Sequence, residues 1–159
     1  MRAAPERGMA TPGRFFEDFR PGQTHRSDPI QVREDTILAF ARLYDPQPFH
    51  TDPDHARGTI FGGLIASGWQ ALSETFAKSL EGGFLSGGAV TSEGLEDLRW
   101  LRPVRPGDAV HLKFTVLEKI ADEASSDRGR VVFDVSALNQ ENEVVMSYKL
   151  RATIRRRIA

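Results

Sequence analysis

The sequence contains no cysteine among its 159 residues. Disulfides, thiolate nucleophiles and cysteine-bound metal centres are therefore excluded, and any chemistry must come from oxygen, nitrogen and backbone groups. The chain also has almost no excess of either charge, since 21 basic and 22 acidic side chains give a formal net charge of −1 at pH 7. Such a chain has no general attraction for nucleic acid or for an anionic membrane, so we expect neither as a partner.

Long hydrophobic runs are missing as well. No apolar run approaches the roughly 18–20 residues that a membrane span needs, and residues 1–13 have no apolar core of the kind that a secretory signal requires. Those residues are rich in alanine, proline, glycine and charge, so we expect them to form a flexible leader. Residues 14–159 contain enough apolar side chains for one globular domain. We therefore expect a single-domain cytoplasmic protein.

Two helices are predicted from the spacing of apolar residues. In residues 33–44 they recur every three or four positions, and Pro46 and Pro48 should end this helix because proline lacks an amide proton. The same spacing continues through residues 61–80 and predicts a longer helix, which Gly82-Gly83 should end.

The N-terminal half of the longer helix is almost without side-chain bulk. Its small residues are Gly62, Gly63, Ala66, Ser67 and Gly68. Because an interior glycine costs a helix about 1 kcal/mol, this composition suggests a backbone that something approaches closely. Packing on a sheet and a ligand site are both compatible with it. Just upstream, Asp52-Pro53 predicts a helix of about one turn, with the aspartate as cap and the proline at the first position.

The C-terminal half changes to the two-residue period of strands. Strands are predicted around residues 95–101, 110–116, 131–135 and 144–154, with a polar loop at 122–129 and a hairpin turn at 139–142. Consecutive strands joined in this way pair antiparallel. The sum is an α+β domain in which a long helix covers one face of an antiparallel sheet.

A candidate site lies between the two predicted helices. Asp45 and His50 are five positions apart on a segment that Pro46 and Pro48 make rigid. Such a pair can point both side chains at one place and hold a water molecule between an acid and a base. In the alternative interpretation, Asp45 caps a turn and His50 is a loop histidine without chemistry.

The segment Asp45-Pro46-Gln47-Pro48-Phe49-His50-Thr51-Asp52 resembles the hydratase motif of the MaoC-like dehydratases and (R)-specific enoyl-CoA hydratases, which runs Asp-x-Asn-Pro-aliphatic-His-x-Asp. Two further stretches, at residues 16–22 and 102–108, are similar to landmarks of the same family. The similarity extends over roughly residues 14–155. The chain departs from the family pattern at Tyr44, Gln47 and Ser67, where the family often has glycine, asparagine and histidine.

The resemblance implies a hot-dog fold, in which an antiparallel β-sheet wraps around a long central helix. It implies a lyase that adds or removes water across the α,β double bond of an enoyl or β-hydroxyacyl thioester, with CoA as the expected carrier and no metal or redox cofactor. Asp45 and His50 would be the catalytic dyad, and the Gly68 amide would be the oxyanion-hole donor. Gln47 and Ser67 would join Gly68 in binding substrate. A homodimer is expected, because the family pairs two sheets into one.

Other enzymatic and non-enzymatic interpretations remain open at this point. A hot-dog thioesterase usually carries a carboxylate on its central helix, where Glu74 is the only acidic residue well inside. Glu74 lies far from the small-residue end, which favours hydration over hydrolysis. A non-catalytic module that binds acyl thioesters is the third interpretation.

Three further features have alternative interpretations. A metal site is one interpretation of the closely spaced residues His50, Asp52, Asp54 and His55. Asp52, however, serves equally well as a helix cap. The basic residues Arg151 and 155–157 could hold CoA phosphates, but a solvated strand end of mixed charge is the commoner arrangement. Trp69 and Trp100 are expected in the core or at an interface.

Overall fold

One antiparallel sheet organises the described part of the chain, which comprises residues 13–85 and 87–157 of a computed structural model. The predicted leader at 1–13 therefore falls outside the described residues except for Gly13. The strands are β1 (Thr24–Arg26), β2 (Ile30–Gln31), β3 (Ala89–Trp100), β4 (Ala109–Ala121), β5 (Arg128–Leu138) and β6 (Val144–Arg155). Their order is β1-β4-β5-β6-β3, and β2 also pairs with β4.

The strands predicted from the two-residue period are all present. Side chains alternate between buried and more exposed along β4 and β6, and the predicted turn at 139–142 joins β5 to β6. β3 begins at Ala89, well before the predicted start at residue 95. The earlier part was missed because three register shifts interrupt the pairing of β3 with β6 and hide the alternation of side chains. β3 is an edge strand of the sheet, and most of its residues are exposed.

Four α-helices lie in the described residues: α1 (Glu34–Tyr44), α2 (Pro48–Thr51), α3 (Pro53–Arg57) and α4 (Gly68–Glu81). Helices α1 and α3 were predicted, and Asp52 caps α3 by accepting hydrogen bonds from the amides of Asp54 and His55. The short helix α2 was not predicted, because Pro48 was interpreted only as a stop. Proline is also well suited to the first position of a helix, and Pro48 occupies that position in α2.

The predicted start of the long helix at residue 61 was wrong, since α4 begins at Gly68. The preceding small residues form turns, and Gly62 has a positive φ of 66°, outside the helical region. Two amides there bind distant carbonyls: Ile65 N–H donates to Phe49 O at 3.3 Å and Ala66 N–H donates to Val104 O at 2.8 Å. Bonds to other segments thus replace the helix that periodicity predicts.

The core lies between α4 and the sheet. Alternate residues of β4, β5 and β6 are buried there, together with four phenylalanines in mutual edge or tilted contact: Phe19, Phe84, Phe114 and Phe133. α4 contributes Ala71, with Leu72 and Phe76 at the margin of the core. This arrangement confirms the α+β prediction. No helix of the described residues is long and apolar enough to cross a membrane.

Candidate active site

The end of α1 and the short helix α2 bring Asp45 and His50 together. Asp45 is the C-cap residue of α1, and its backbone N–H donates to Ala41 O at 2.9 Å. His50 lies within α2. Two prolines fix the connection between them. As a result, His50 Nε2 lies 3.3 Å from Asp45 Oδ2. The five-residue spacing thus produces a contact between the two side chains.

A backbone carbonyl fixes the tautomer of His50. Its Nδ1 lies 2.8 Å from Ile65 O, and a carbonyl oxygen can only accept, so Nδ1 carries the hydrogen. In the neutral imidazole, Nε2 is then a proton acceptor that faces Asp45. The imidazole is buried, so its orientation is also held by packing.

Three side chains surround the carboxylate of Asp45. Gln47 Nε2 donates to Oδ1 at 2.8 Å, and Ser67 Oγ donates to Oδ2 at 2.7 Å. Burial raises the pKa of Asp45, whereas the hydrogen bonds from Gln47 and Ser67 lower it, as does the charge that His50 carries when it is protonated, and the net pKa is below the ordinary value of 3.8. Asp45 is therefore ionised at neutral pH. Both Gln47 and Ser67, which were predicted to bind substrate, contact the carboxylate of Asp45.

The N-terminus of α4 lies at the same place. Ser67 is its N-cap and accepts a hydrogen bond from Trp69 N–H at 3.3 Å. Gly68 is the first helical residue, so its amide has no acceptor within the helix, and it makes no hydrogen bond to any other described residue. The later start of α4 thus frees the amide that the sequence singled out.

A cavity of about 450 Å³ joins these groups. Its lining includes Asp45, His50 and Gly68, together with Trp69, Trp100 and Arg102. The two tryptophans are not core residues in this chain, since they are 54% and 46% exposed. The indoles meet edge to face, with ring centroids 5.1 Å apart. Their role in the cavity was not predicted, because an aromatic residue gives no sign in the sequence of which surface it faces.

The other candidate groups do not converge on this cavity. Asp52 is occupied in capping α3, and Asp54 pairs with Arg57. Among the described residues there is no group of three or more side chains placed to hold a metal ion. Glu74 accepts a hydrogen bond from Gln70 at 3.0 Å and does not line the cavity.

The basic C-terminus lies at the far end of β6. Arg156 pairs with Glu17 at 3.2 Å and Arg157 pairs with Asp18 at 2.7 Å. Met146, at the start of β6, lines the cavity, and the nine residues from there to Arg155 span about 30 Å of extended strand. Arg156 and Arg157 are therefore paired with acidic side chains at a strand end of mixed charge, far along β6 from the cavity.

The comparisons with known proteins agree on one family. A sequence model described as "MaoC like domain" matches residues 17–136. The crystal structure of a MaoC-like dehydratase from Rhodospirillum rubrum is 35% identical, with a TM-score of 0.81, and the match covers 92% of this chain and 100% of that one. An (R)-specific enoyl-CoA hydratase from the same organism is 36% identical over 104 residues, which cover 64% of this chain and 69% of the relative.

Two further matches concern length and fold. A mesaconyl-CoA hydratase from Cereibacter sphaeroides is 30% identical over 147 residues, or 91% of this chain, but this chain spans only 42% of that relative. A Mycobacterium tuberculosis protein with a double hot-dog fold matches with a TM-score of 0.76 at 14% identity, over 91% of this chain and 45% of that one. The hot-dog fold is thereby confirmed.

Proposed function

Because this chain belongs to the MaoC-like domain family, we propose that it is a hydratase or dehydratase acting on an enoyl or β-hydroxyacyl thioester of CoA. Relatives named (R)-specific enoyl-CoA hydratase and mesaconyl-CoA hydratase support this class of reaction. The observation that carries the proposal is the 3.3 Å contact between His50 Nε2 and Asp45 Oδ2, in a cavity that the unpaired Gly68 amide also lines.

The dyad holds and activates the water. The ionised carboxylate of Asp45 accepts a hydrogen bond from the water, and Nε2 of His50, when the imidazole is unprotonated, accepts a second, which leaves a lone pair of the water oxygen for attack. The water oxygen bonds to the β-carbon as one proton passes to the dyad, and the dyad returns a proton to the α-carbon. The sum is addition of H and OH across the double bond, and the reverse steps are dehydration.

Negative charge develops on the thioester oxygen during this addition. An amide that is preorganised to receive such charge lowers the barrier, and removal of one oxyanion donor typically costs about 10²–10³ in kcat. The Gly68 amide, at the positive end of the α4 dipole, takes this role. The reaction changes no oxidation state and the amide meets the developing charge, so the proposed mechanism uses neither a metal nor a redox cofactor.

The site supports hydration better than the two alternatives. Glu74, the carboxylate that a thioesterase would use, is bound to Gln70 and lies outside the cavity lining. A binding module has no need of a half-buried carboxylate that contacts a buried imidazole and accepts hydrogen bonds from Gln47 and Ser67.

We also propose that the protein is a homodimer that pairs through β3. This strand is hydrogen-bonded only to β6 among the described strands, and it exposes Val90, Leu95 and Trp100. An exposed edge of this length is a liability in a monomer, and self-pairing of two such edges around a two-fold axis removes it.

A substrate panel tests the proposed reaction. Short, medium and branched enoyl-CoAs are incubated with the purified protein, and loss of the conjugated thioester absorbance is followed. We expect hydration of at least one member, and almost none with Asp45→Asn. Asp54→Asn is the matched control, because Asp54 is a nearby aspartate that pairs with Arg57 and does not line the cavity. Free CoA release without hydration would show a thioesterase, and binding without either product would show a module.

A further inference from the structure

The glycine at position 68 needs a physical reason. Six glycines of the described residues have a positive φ, and Gly68 is not one of them, so its backbone conformation is open to any residue. Glycine at the start of a helix also gives up the lower chain entropy that alanine would provide. Position 68 therefore requires the absence of a side chain rather than conformational freedom.

The indole of Trp100 occupies the space that a side chain would need. A Cβ placed on Gly68 would lie 2.7 Å from Cδ1 of Trp100 and closer still to Cε2 and Nε1. The indole belongs to the rigid end of β3, where Trp100 is opposite Met146 of β6 and Leu101 N–H donates to Val145 O at 2.8 Å. Neither the sheet backbone nor empty ligand space explains the glycine.

We propose that Trp100 is a positioning residue that holds the Gly68 amide in place for the reaction. This inference rests on the proposed function, since it explains how the Gly68 amide is held where an oxyanion donor is needed. Trp100 itself performs no proton transfer. Its indole is a flat surface against which only a residue without a side chain can settle, and that contact sets how far the first turn of α4 projects into the cavity.

Hydrogen bonds hold the residues just before α4, from Ala66 N–H to Val104 O and from Ser67 Oγ to Asp45 Oδ2, whereas Gly68 N–H makes none to a described residue. Residues 58–67 form no regular helix, and the N-cap hydrogen bond from Trp69 N–H to Ser67 Oγ is long, at 3.3 Å. An oxyanion donor must lie within about 2.7–3.1 Å of the developing charge, and a displacement of about 1 Å can cost 10²-fold in rate. A rigid aromatic wall on one side of Gly68 reduces that displacement.

Reciprocal substitutions test this contact, with Trp69 as the matched control. Trp69 lines the same cavity, is similarly exposed and touches the other indole, and the proposal gives it no part in placing Gly68. We expect Gly68→Ala to lower kcat by about 10²-fold, with a much smaller change in KM. The double variant Gly68→Ala/Trp100→Ala should recover about tenfold of that loss, and Gly68→Ala/Trp69→Ala should recover none.

A further variant covers the case in which Gly68→Ala does not fold. Trp100→Phe shortens the aromatic wall without adding any overlap, so we expect a lower kcat with KM and the melting temperature nearly unchanged. Undiminished kcat in both Gly68→Ala and Trp100→Phe would overturn the inference, as would equal recovery by Trp100→Ala and Trp69→Ala. If the wild type hydrates an enoyl-CoA but the variants do not behave as expected, only the role of Trp100 is overturned and the proposed function stands. A wild type that hydrates no enoyl-CoA overturns the proposed function and the role of Trp100 together.

Discussion

Removal of the Ser67 hydroxyl should raise the pKa of Asp45. The hydroxyl donates to Oδ2 at 2.7 Å, and a hydrogen bond to a charged group contributes about 1.5–3 kcal/mol. One pKa unit corresponds to about 1.36 kcal/mol. Because the Asp45 side chain is 16% exposed, water replaces part of the lost bond, so we expect the pKa of Asp45 to rise by less than the full energy of that bond would give.

The sign of this shift decides the pH profile. A donor to the carboxylate favours its charged form, so its loss allows protonation at higher pH. The acid limb of kcat/KM, which reports essential groups of the free enzyme, should therefore move to higher pH in Ser67→Ala. Gln47→Leu, which removes the donor to Oδ1, should move it in the same direction, but by less, because Gln47 is exposed and water replaces its amide.

Ser67 also caps α4, so stability has to be separated from the pKa effect. Alanine at an N-cap costs about 0.5–2 kcal/mol, whereas glycine costs only a few tenths. Ser67→Gly should therefore show the same pH shift as Ser67→Ala with a smaller loss of melting temperature. Initial hydration rates across the acid and neutral range measure the shift. An acid limb that stays in place in both variants, or moves to lower pH, would refute the reasoning.

Three other predictions follow from the same structure. Asp45→Asn and His50→Ala should each lower kcat by about 10²–10⁴-fold with nearly unchanged melting temperatures. The double variant should be little worse, because one partner alone no longer places the water. Full activity of Asp45→Asn would contradict this prediction. Sedimentation should show a dimer that Leu95→Lys on the β3 edge converts to the 17.7 kDa chain, and a wild type already at that mass would be decisive against pairing. Because burial lowers the pKa of His25 below 6.5, the unfolded chain takes up the proton first as pH falls, so stability to urea should decrease below that pH. The His25→Phe variant should lose less stability to urea than the wild type as the pH falls through this range. An equal loss of stability in the two proteins would exclude His25 as the cause.

The sequence predicted those parts of the fold that depend on neighbouring residues. The apolar spacing of α1 and the alternation in β4 and β6 are local patterns, and they placed these elements correctly. The start of β3 was missed because register shifts against β6 break its alternation. The helix α2 was missed because proline at its first position gives the same signal as proline beyond a helix end.

The candidate site was predictable only in part, for the same reason. The spacing of Asp45 and His50 and the prolines between them are local, and the structure brings the two side chains into contact. The hydrogen bond from Ser67 to Asp45 joins residues 22 positions apart, and the contact of Trp100 with Gly68 joins the end of β3 to the start of α4. Such contacts depend on how α4 packs against the strands, which periodicity does not encode.

The start of α4 shows why a wrong helix boundary matters for chemistry. If the helix began at residue 61, the Gly68 amide would donate to the carbonyl of Leu64 four positions earlier, and it could not bind a substrate oxygen. In the structure the turns before Ser67 prevent that bond, and Gly68 becomes one of the first residues, whose amides have no helical acceptor. The positive φ of Gly62 therefore bears on the proposed reaction indirectly. It stops the helix from extending backwards, and the Gly68 amide, which as a result makes no hydrogen bond to a described residue, lines the cavity of Asp45 and His50.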